Sequence, residues 1–290
     1  MMVRRLGMGV ALALAGHFAM AQSRLRAVGL ESQYANVLKQ IGGPYVKVTA
    51  IQSNPNTDPH EFEVTPNVAE SLRTANLVVE NGLGYDAWAS RLLQGTKAKV
   101  LSAQVLLNLP DCTPNPHLWY RTDTMPAVAA AAAAFFEAKD PAHKAEYQAN
   151  LQRFDASLVA WKNKIAEVKR DYAGAAVAVT EPVADYLLQE AGMKIMTPPS
   201  FELSVMNDTD PSPQDEAVEE NLLKNRKVGV FVYNAQVTDP LTKALLALAR
   251  AHSVRILPVY ELMPTSAKSY QAWMLNVTND LERALDAQSR

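Results

Sequence analysis

Apolar positions along the chain repeat in two rhythms that alternate from end to end. Arg26–Leu30 is a short apolar run with strand character, and Tyr34, Val37, Leu38 and Ile41 then recur at i, i+3, i+4 and i+7, one face of a helix. Gly42-Gly43-Pro44 stops that helix, and Val46–Ile51 alternates as a strand. Thr65-Pro66 reads as a helix start, with Thr as cap and Pro at the first helical position. Leu77-Val78-Val79 is a buried strand closed by Asn81-Gly82-Leu83-Gly84, followed by a helix near Asp86–Leu93, a strand at Lys99–Ser102 and a helix over Asp123–Ala138. Strand and helix alternate again at the far end, with strands at Ala175–Val179, Val228–Val232 and Arg255–Val259. Ser212-Pro213-Gln214-Asp215 and Asp239-Pro240 open two of the helices between and after them, and the last helix carries Tyr270, Met274, Val277, Leu281 and Leu285.

Between the two halves the rhythm changes. Tyr147, Leu151, Phe154, Leu158, Trp161, Ile165, Val168 and Tyr172 form one seam with steps of four and three. A helix of roughly 30 residues is about 45 Å long, more than the width of one lobe. The seam predicts a spine packed on both halves, with a coiled-coil dimer helix as the rival. The fold class is therefore α/β: two lobes, each a parallel sheet flanked by helices, joined by one long rigid connecting helix. The expected divisions are an N-terminal lobe at 22–140, the connecting helix at 141–172 and a C-terminal lobe at 173–290.

Residues 1–21 are set apart from that pattern. Arg4-Arg5, an apolar run from Leu6 to Ala15 and Ala19-Met20-Ala21 are the three parts of a secretory signal peptide. The run is too short to span a bilayer, and no cysteine follows the cleavage site to carry a lipid. The expected location is the periplasm, with a mature chain of about 269 residues. Removing the two arginines takes the formal charge from −2 to −4, which gives no hint of a nucleic-acid partner. Cys112 is the only cysteine, so neither an intramolecular disulfide nor a thiolate metal cluster can form.

The chemistry sits at strand ends. Asp58-Pro59-His60-Glu61-Phe62-Glu63 follows a strand and precedes a helix, and Asn115-Pro116-His117-Leu118-Trp119 is a second Pro-His loop in a matching context. Thr180-Glu181-Pro182 and Tyr260-Glu261 follow strands of the second half. Ligands of open α/β sheets bind beyond the carboxyl ends of the strands, so these four loops should face one another. Two imidazoles and two carboxylates make a mixed nitrogen and oxygen site for zinc, manganese or iron(II).

These residues carry a resemblance. With Asn81-Gly82-Leu83-Gly84-Tyr85, the long central helix and the closing Tyr270…Asn276 segment, the two Pro-His loops resemble the metal-binding solute-binding proteins of bacterial ABC importers, the zinc, manganese and iron uptake family. The resemblance spans essentially the whole mature chain. It implies one divalent metal buried between two lobes, carried as cargo to a membrane permease by a monomer that does not itself span the membrane. Position by position it implies His60, His117 and Glu181 as ligands. The fourth region, Leu257-Pro258-Val259-Tyr260-Glu261, lacks the family's aspartate and leaves Glu261 as the candidate. The His-rich loop of many zinc carriers is replaced by Asp111-Cys112-Thr113-Pro114.

Blander readings stand beside these. Glu181 could cap the helix that starts at Pro182, and Glu261 could be a surface carboxylate. Asp58 reads as a turn former or a partner to a ligating histidine, Trp119 as packing behind its loop, His143 and His252 as solvated, and Cys112 as a spectator. The rival from another class is an exported zinc metallohydrolase using the same His/His/Glu set, and a third reading is an exported adhesin or scaffold that uses the metal for stability. No His-Glu-x-x-His helix or nucleophile elbow supports an enzyme.

Overall fold

A computed structural model of the chain describes residues 24–56, 62–237 and 239–287. The signal segment at 1–21 and His60 therefore lie outside the described residues. In the first lobe β1 (Leu25–Glu31), β2 (Val46–Gln52), β3 (Leu77–Glu80) and β4 (Lys99–Ser102) form one sheet. Its helices are α1 (Ser32–Gly42), α2 (Pro66–Arg73), α3 (Ser90–Gln94), α4 (Ala103–Leu106) and α5 (Thr124–Lys139). The second sheet holds β5 (Ala176–Val179), β6 (Lys194–Ile195), β7 (Val230–Asn234) and β8 (Arg255–Val259).

Every strand pairing is parallel, and the orders β2-β1-β3-β4 and β6-β5-β7-β8 are the same permutation. In each lobe the chain leaves its first strand to one side and returns on the other. That reversal opens a crevice at the strand carboxyl ends, between β1 and β3 and between β5 and β7. Buried apolar, valine-rich runs such as Leu77–Val79 and Val230–Val232 suit strands covered on both faces. At Gly29 a Cβ atom would stand 2.3 Å from the Ala35 backbone nitrogen, so only glycine lets α1 fold back onto β1.

The helix starts follow their sequence signals. Thr65, Ser212 and Asp239 each accept, through the side chain, the N–H three residues on. They begin α2, α10 (Pro213–Lys224) and α11 (Pro240–Ala251). The helix expected near Asp86–Leu93 is a 3-10 turn at Ala87–Ala89 running into α3. The helix expected through Leu187 and Leu188 is α8 (Asp185–Glu190), whereas the two-residue β6 and α9 (Pro199–Met206) have no clear periodicity to reveal them.

The connecting helix is bent. It consists of α6 (Lys144–Ser157) and α7 (Val159–Tyr172), meeting at Leu158. Ser157 Oγ donates to the Phe154 carbonyl at 2.6 Å, and the Leu158 N–H bonds Asp155, three residues back. Side-chain bonding into the helical ladder and a tightened turn are recognised causes of a bend. The bend lets the seam serve two surfaces. α6 packs on α1 and α5, with Asn150 Nδ2 donating to the Ile41 carbonyl at 2.8 Å. α7 packs on α12 (Tyr270–Asp286), where Trp161 Nε1 donates to Thr278 Oγ1 at 3.1 Å.

One apolar core results. It takes in Leu38 and Val79 of the first lobe, Phe154 and Trp161 of the spine, and Val230 and Met274 of the second lobe. Smaller clusters, around Leu30 and Val78 and around Phe201 and Phe231, pack the outer faces of the two sheets. α12 also reaches back across the lobes. Tyr270 N–H donates to Asn36 Oδ1 at 3.0 Å and its hydroxyl to the Trp119 carbonyl at 2.7 Å. His143 departs from the solvated reading: it stacks on Tyr45 at 3.7 Å between ring centroids and bonds Asp140 at 2.7 Å. Among the described residues no helix is long and apolar enough to cross a membrane.

Candidate metal centre

His117 closes a loop that the first lobe holds from several sides. Tyr34 of α1 donates to Asn81 Oδ1 at 2.6 Å, and Asn81, just beyond β3, donates to the Pro116 carbonyl at 2.7 Å. Glu181 directly follows Thr180 at the end of β5, and Glu261 lies two residues beyond β8. The loops face each other, and one ligand atom each from His117, Glu181 and Glu261 lie within 4.8 Å of one another. Among the described residues this is the one such group of three or more. All three side chains are buried, His117 and Glu261 at 0% exposure and Glu181 at 4%.

The protonation of His117 is set by its neighbour. Asn115 Nδ2 donates to the Pro182 carbonyl at 2.7 Å, which turns Asn115 Oδ1 toward the histidine. That oxygen accepts the His117 backbone N–H at 2.9 Å and stands 2.8 Å from Nδ1. An amide oxygen can only accept, so Nδ1 carries a proton, and in the neutral imidazole that tautomer leaves the lone pair on Nε2. Nε2 is buried, has no hydrogen-bond partner, and lies 3.7 Å from Glu261 Oε2. A ring held by its other nitrogen with its free nitrogen aimed at carboxylates is the usual arrangement of a metal-binding imidazole.

Glu261 is gripped on both oxygens. Asn234 Nδ2 donates to Oε1 at 2.6 Å and the Tyr85 hydroxyl to Oε2 at 2.7 Å. Burial and the adjacent Glu261 charge push the Tyr85 phenol well above its ordinary pKa, so it keeps its proton and donates. Glu181 makes no side-chain cap to the turn that begins at Pro182, so its carboxylate does not serve that helical start. The arrangement gathers two carboxylates and one imidazole lone pair where a divalent cation would neutralise the charge.

The match to known proteins decides the family. Residues 31–284 match the model of the family described as ZnuA, zinc-uptake complex component A, periplasmic. The chain belongs to that family. A manganese-binding lipoprotein of Bacillus subtilis is 25% identical over 147 residues, covering 48% of each chain. The chain spans about half the length of the curated relatives it matches. Among solved structures, a solute-binding protein of Pseudomonas aeruginosa in complex with Mn2+ superposes with a TM-score of 0.73 at 20% identity, covering 91% of this chain and 99% of that one. A periplasmic zinc-binding protein from Treponema pallidum gives 0.72 at 17%, covering 92% and 100%. At these identities the structures establish the shared two-lobed fold.

Three of the four predicted site residues, His117, Glu181 and Glu261, come together, while the fourth, His60, falls outside the described residues. Trp119 packs behind the loop, its ring 5.4 Å from that of His117 and 5.1 Å from Tyr85. Cys112 is exposed. Sequence reasoning missed Asn234 and Gln236, which hold Glu261 in place. Their only signal is position, at and just after the carboxyl end of β7.

A second acidic cluster lies behind the centre. Asp185 and Glu202 line a cavity of about 500 Å³ that is also bordered by Asn115 and Pro182. Burial, with the Asp185 charge beside it, pushes Glu202 up to about 9, and burial raises Asp185 to about 6 and Glu219 to about 8. The folded chain thus keeps protons that the unfolded chain, with ordinary glutamates near about 4.3, has already released. Stability of the metal-free protein should therefore fall as pH rises from about 5 to 9. Glu202→Gln keeps a neutral donor beside Asp185 and should lessen that decline, with Asp185, Glu219 and the buried Glu31 and Asp86, all raised by burial, supplying the slope that remains. Urea unfolding across that range reads it directly; an unchanged slope in the variant contradicts the assignment.

Proposed function

We propose that the chain is an extracytoplasmic solute-binding protein that captures one divalent transition metal between its lobes and delivers it to an ABC permease for uptake. The observation that carries the reading is the His117 Nε2 lone pair, buried without a hydrogen-bond partner against Glu261. His117, Glu181 and Glu261 bind the cation in this reading, and His60, from the first Pro-His motif, is the second nitrogen donor. Signal-directed export to the periplasm and a monomeric carrier complete it.

Zinc, manganese and iron(II) all suit nitrogen and oxygen donors, and raw affinity rises from manganese to zinc. Carboxylates bind through one or both oxygens and so raise the coordination number, which favours manganese and iron(II). A hydrolase would need an open metal position and a carboxylate free to shuttle protons. Glu261 is instead fixed at both oxygens by Tyr85 and Asn234. Several curated relatives, too, are named as substrate-binding lipoproteins.

Removing either imidazole should cost more than the 10- to 100-fold typical of outer contacts. In calorimetric titrations with zinc and manganese, His117→Ala and His60→Ala should each lose affinity by more than about 100-fold, while the metal-free variants stay folded. Parent-like affinity in either variant removes that residue from the site. Glu181→His exchanges an anionic oxygen donor for a neutral nitrogen, so the zinc-over-manganese affinity ratio should rise. Competition titrations measure the ratio, and an unchanged or lower ratio would contradict the role given to Glu181.

A further inference from the structure

Gln236 divides its side chain between groups in different lobes. Its Oε1 accepts the backbone N–H groups of Glu261 at 2.6 Å and Leu262 at 2.8 Å, both in the second lobe. Its Nε2 donates to the Pro55 carbonyl at 2.8 Å, in the loop that follows β2 of the first lobe. Asn234 anchors the base of this device, accepting the Gln236 N–H at 3.0 Å while donating to Glu261 Oε1 at 2.6 Å. From the opposite side, Gln33 of the first lobe donates to the Glu261 carbonyl at 3.0 Å. The Glu261 peptide belongs to the second lobe by connectivity, yet side-chain amides tie both its N–H and its C=O to the first.

We propose that Gln236 is a positioning residue that latches the Glu261 loop to the first lobe and so sets how long a bound metal is retained. The inference rests on the carrier reading given above. A carboxamide suits the task because it offers an acceptor for two N–H groups and a donor for a carbonyl in one uncharged group. With the latch made, Glu261 cannot recede from His117 unless the Pro55 contact or the paired N–H contacts break. Removing it leaves two N–H groups of the ligand loop without their acceptor, and the loop relaxes away from the position in which Glu261 meets the metal.

The test is release of zinc from the loaded full-length protein into an excess of fluorescent chelator, followed by stopped flow. Gln236→Met keeps the length and loses every hydrogen bond, and it should release zinc about tenfold faster, the scale of one or two net hydrogen bonds. Gln236→Glu, at a pH where the new carboxylate is ionised, keeps the acceptor for Glu261 and Leu262 and loses only the donor to Pro55. It should also release faster than the parent, although an added negative charge by itself would hold a cation longer. Hydrogen exchange at the Glu261 and Leu262 amides of the metal-free protein should quicken in Gln236→Met and stay protected in Gln236→Glu. Parent-like release from either variant overturns the latch, as does lowered thermal stability without faster release. A parent that takes up neither zinc nor manganese overturns the carrier reading and the latch together. A parent that binds metal, with variants that release it at the parent's rate, overturns the latch alone.

Discussion

Phe136, Tyr147, Phe154, Trp161 and Tyr270 pack as one continuous apolar body that belongs to neither lobe alone. Each is fully or almost fully buried, and truncating a buried aromatic of this kind costs about 3–5 kcal/mol. The candidate metal centre depends on that body, because His117 hangs from the first lobe while Glu181 and Glu261 hang from the second. Three atoms can be held within 4.8 Å across a lobe boundary only if the boundary itself is packed solid. The bend at Leu158 belongs to the same constraint, since it turns one half of the seam onto α1 and α5 and the other onto α12.

On that frame the polar groups do local work that the core cannot. Asn115 fixes the tautomer of His117 and bonds across to Pro182, one residue from Glu181, so one side chain orients one candidate ligand and anchors the loop of another. Tyr85 from the first lobe and Asn234 from the second hold the two oxygens of Glu261. In the proposed carrier reading the site must also let its metal go. The hydrogen bonds that cross the lobes near the site, such as Gln236 to Pro55, Gln33 to Glu261 and Asn115 to Pro182, are individually modest in net worth. They can yield to a partner without unpacking the core.

The two-lobed parallel architecture was legible in the sequence because buried strands such as Leu77–Val79 and amphipathic helices such as the one bearing Tyr34 and Ile41 differ sharply in period. Capping residues at Thr65, Ser212 and Asp239 marked helix starts for a local reason that tertiary structure did not overrule. The bend at Leu158 was not legible, since the apolar steps of four and three run through it unbroken and only the Ser157 back-bond reveals it. At the site, His117 stood out through its Pro-flanked loop, which follows α4, and Glu181 and Glu261 by their places after β5 and β8. Asn234, Gln236 and Glu202 were invisible for one shared reason. Their roles come from groups more than ten residues away in the chain, and no spacing encodes that.

The claim on which the rest stands is that one metal sits between His117, Glu181 and Glu261. Anomalous diffraction from crystals of the zinc-loaded protein, recorded on both sides of the zinc absorption edge, tests it most directly. The account predicts a single strong anomalous peak between the lobes, about 2.0–2.2 Å from His117 Nε2 and from a carboxylate oxygen of each glutamate. A peak on the Asp185 and Glu202 cluster instead, or none between the lobes, would contradict it.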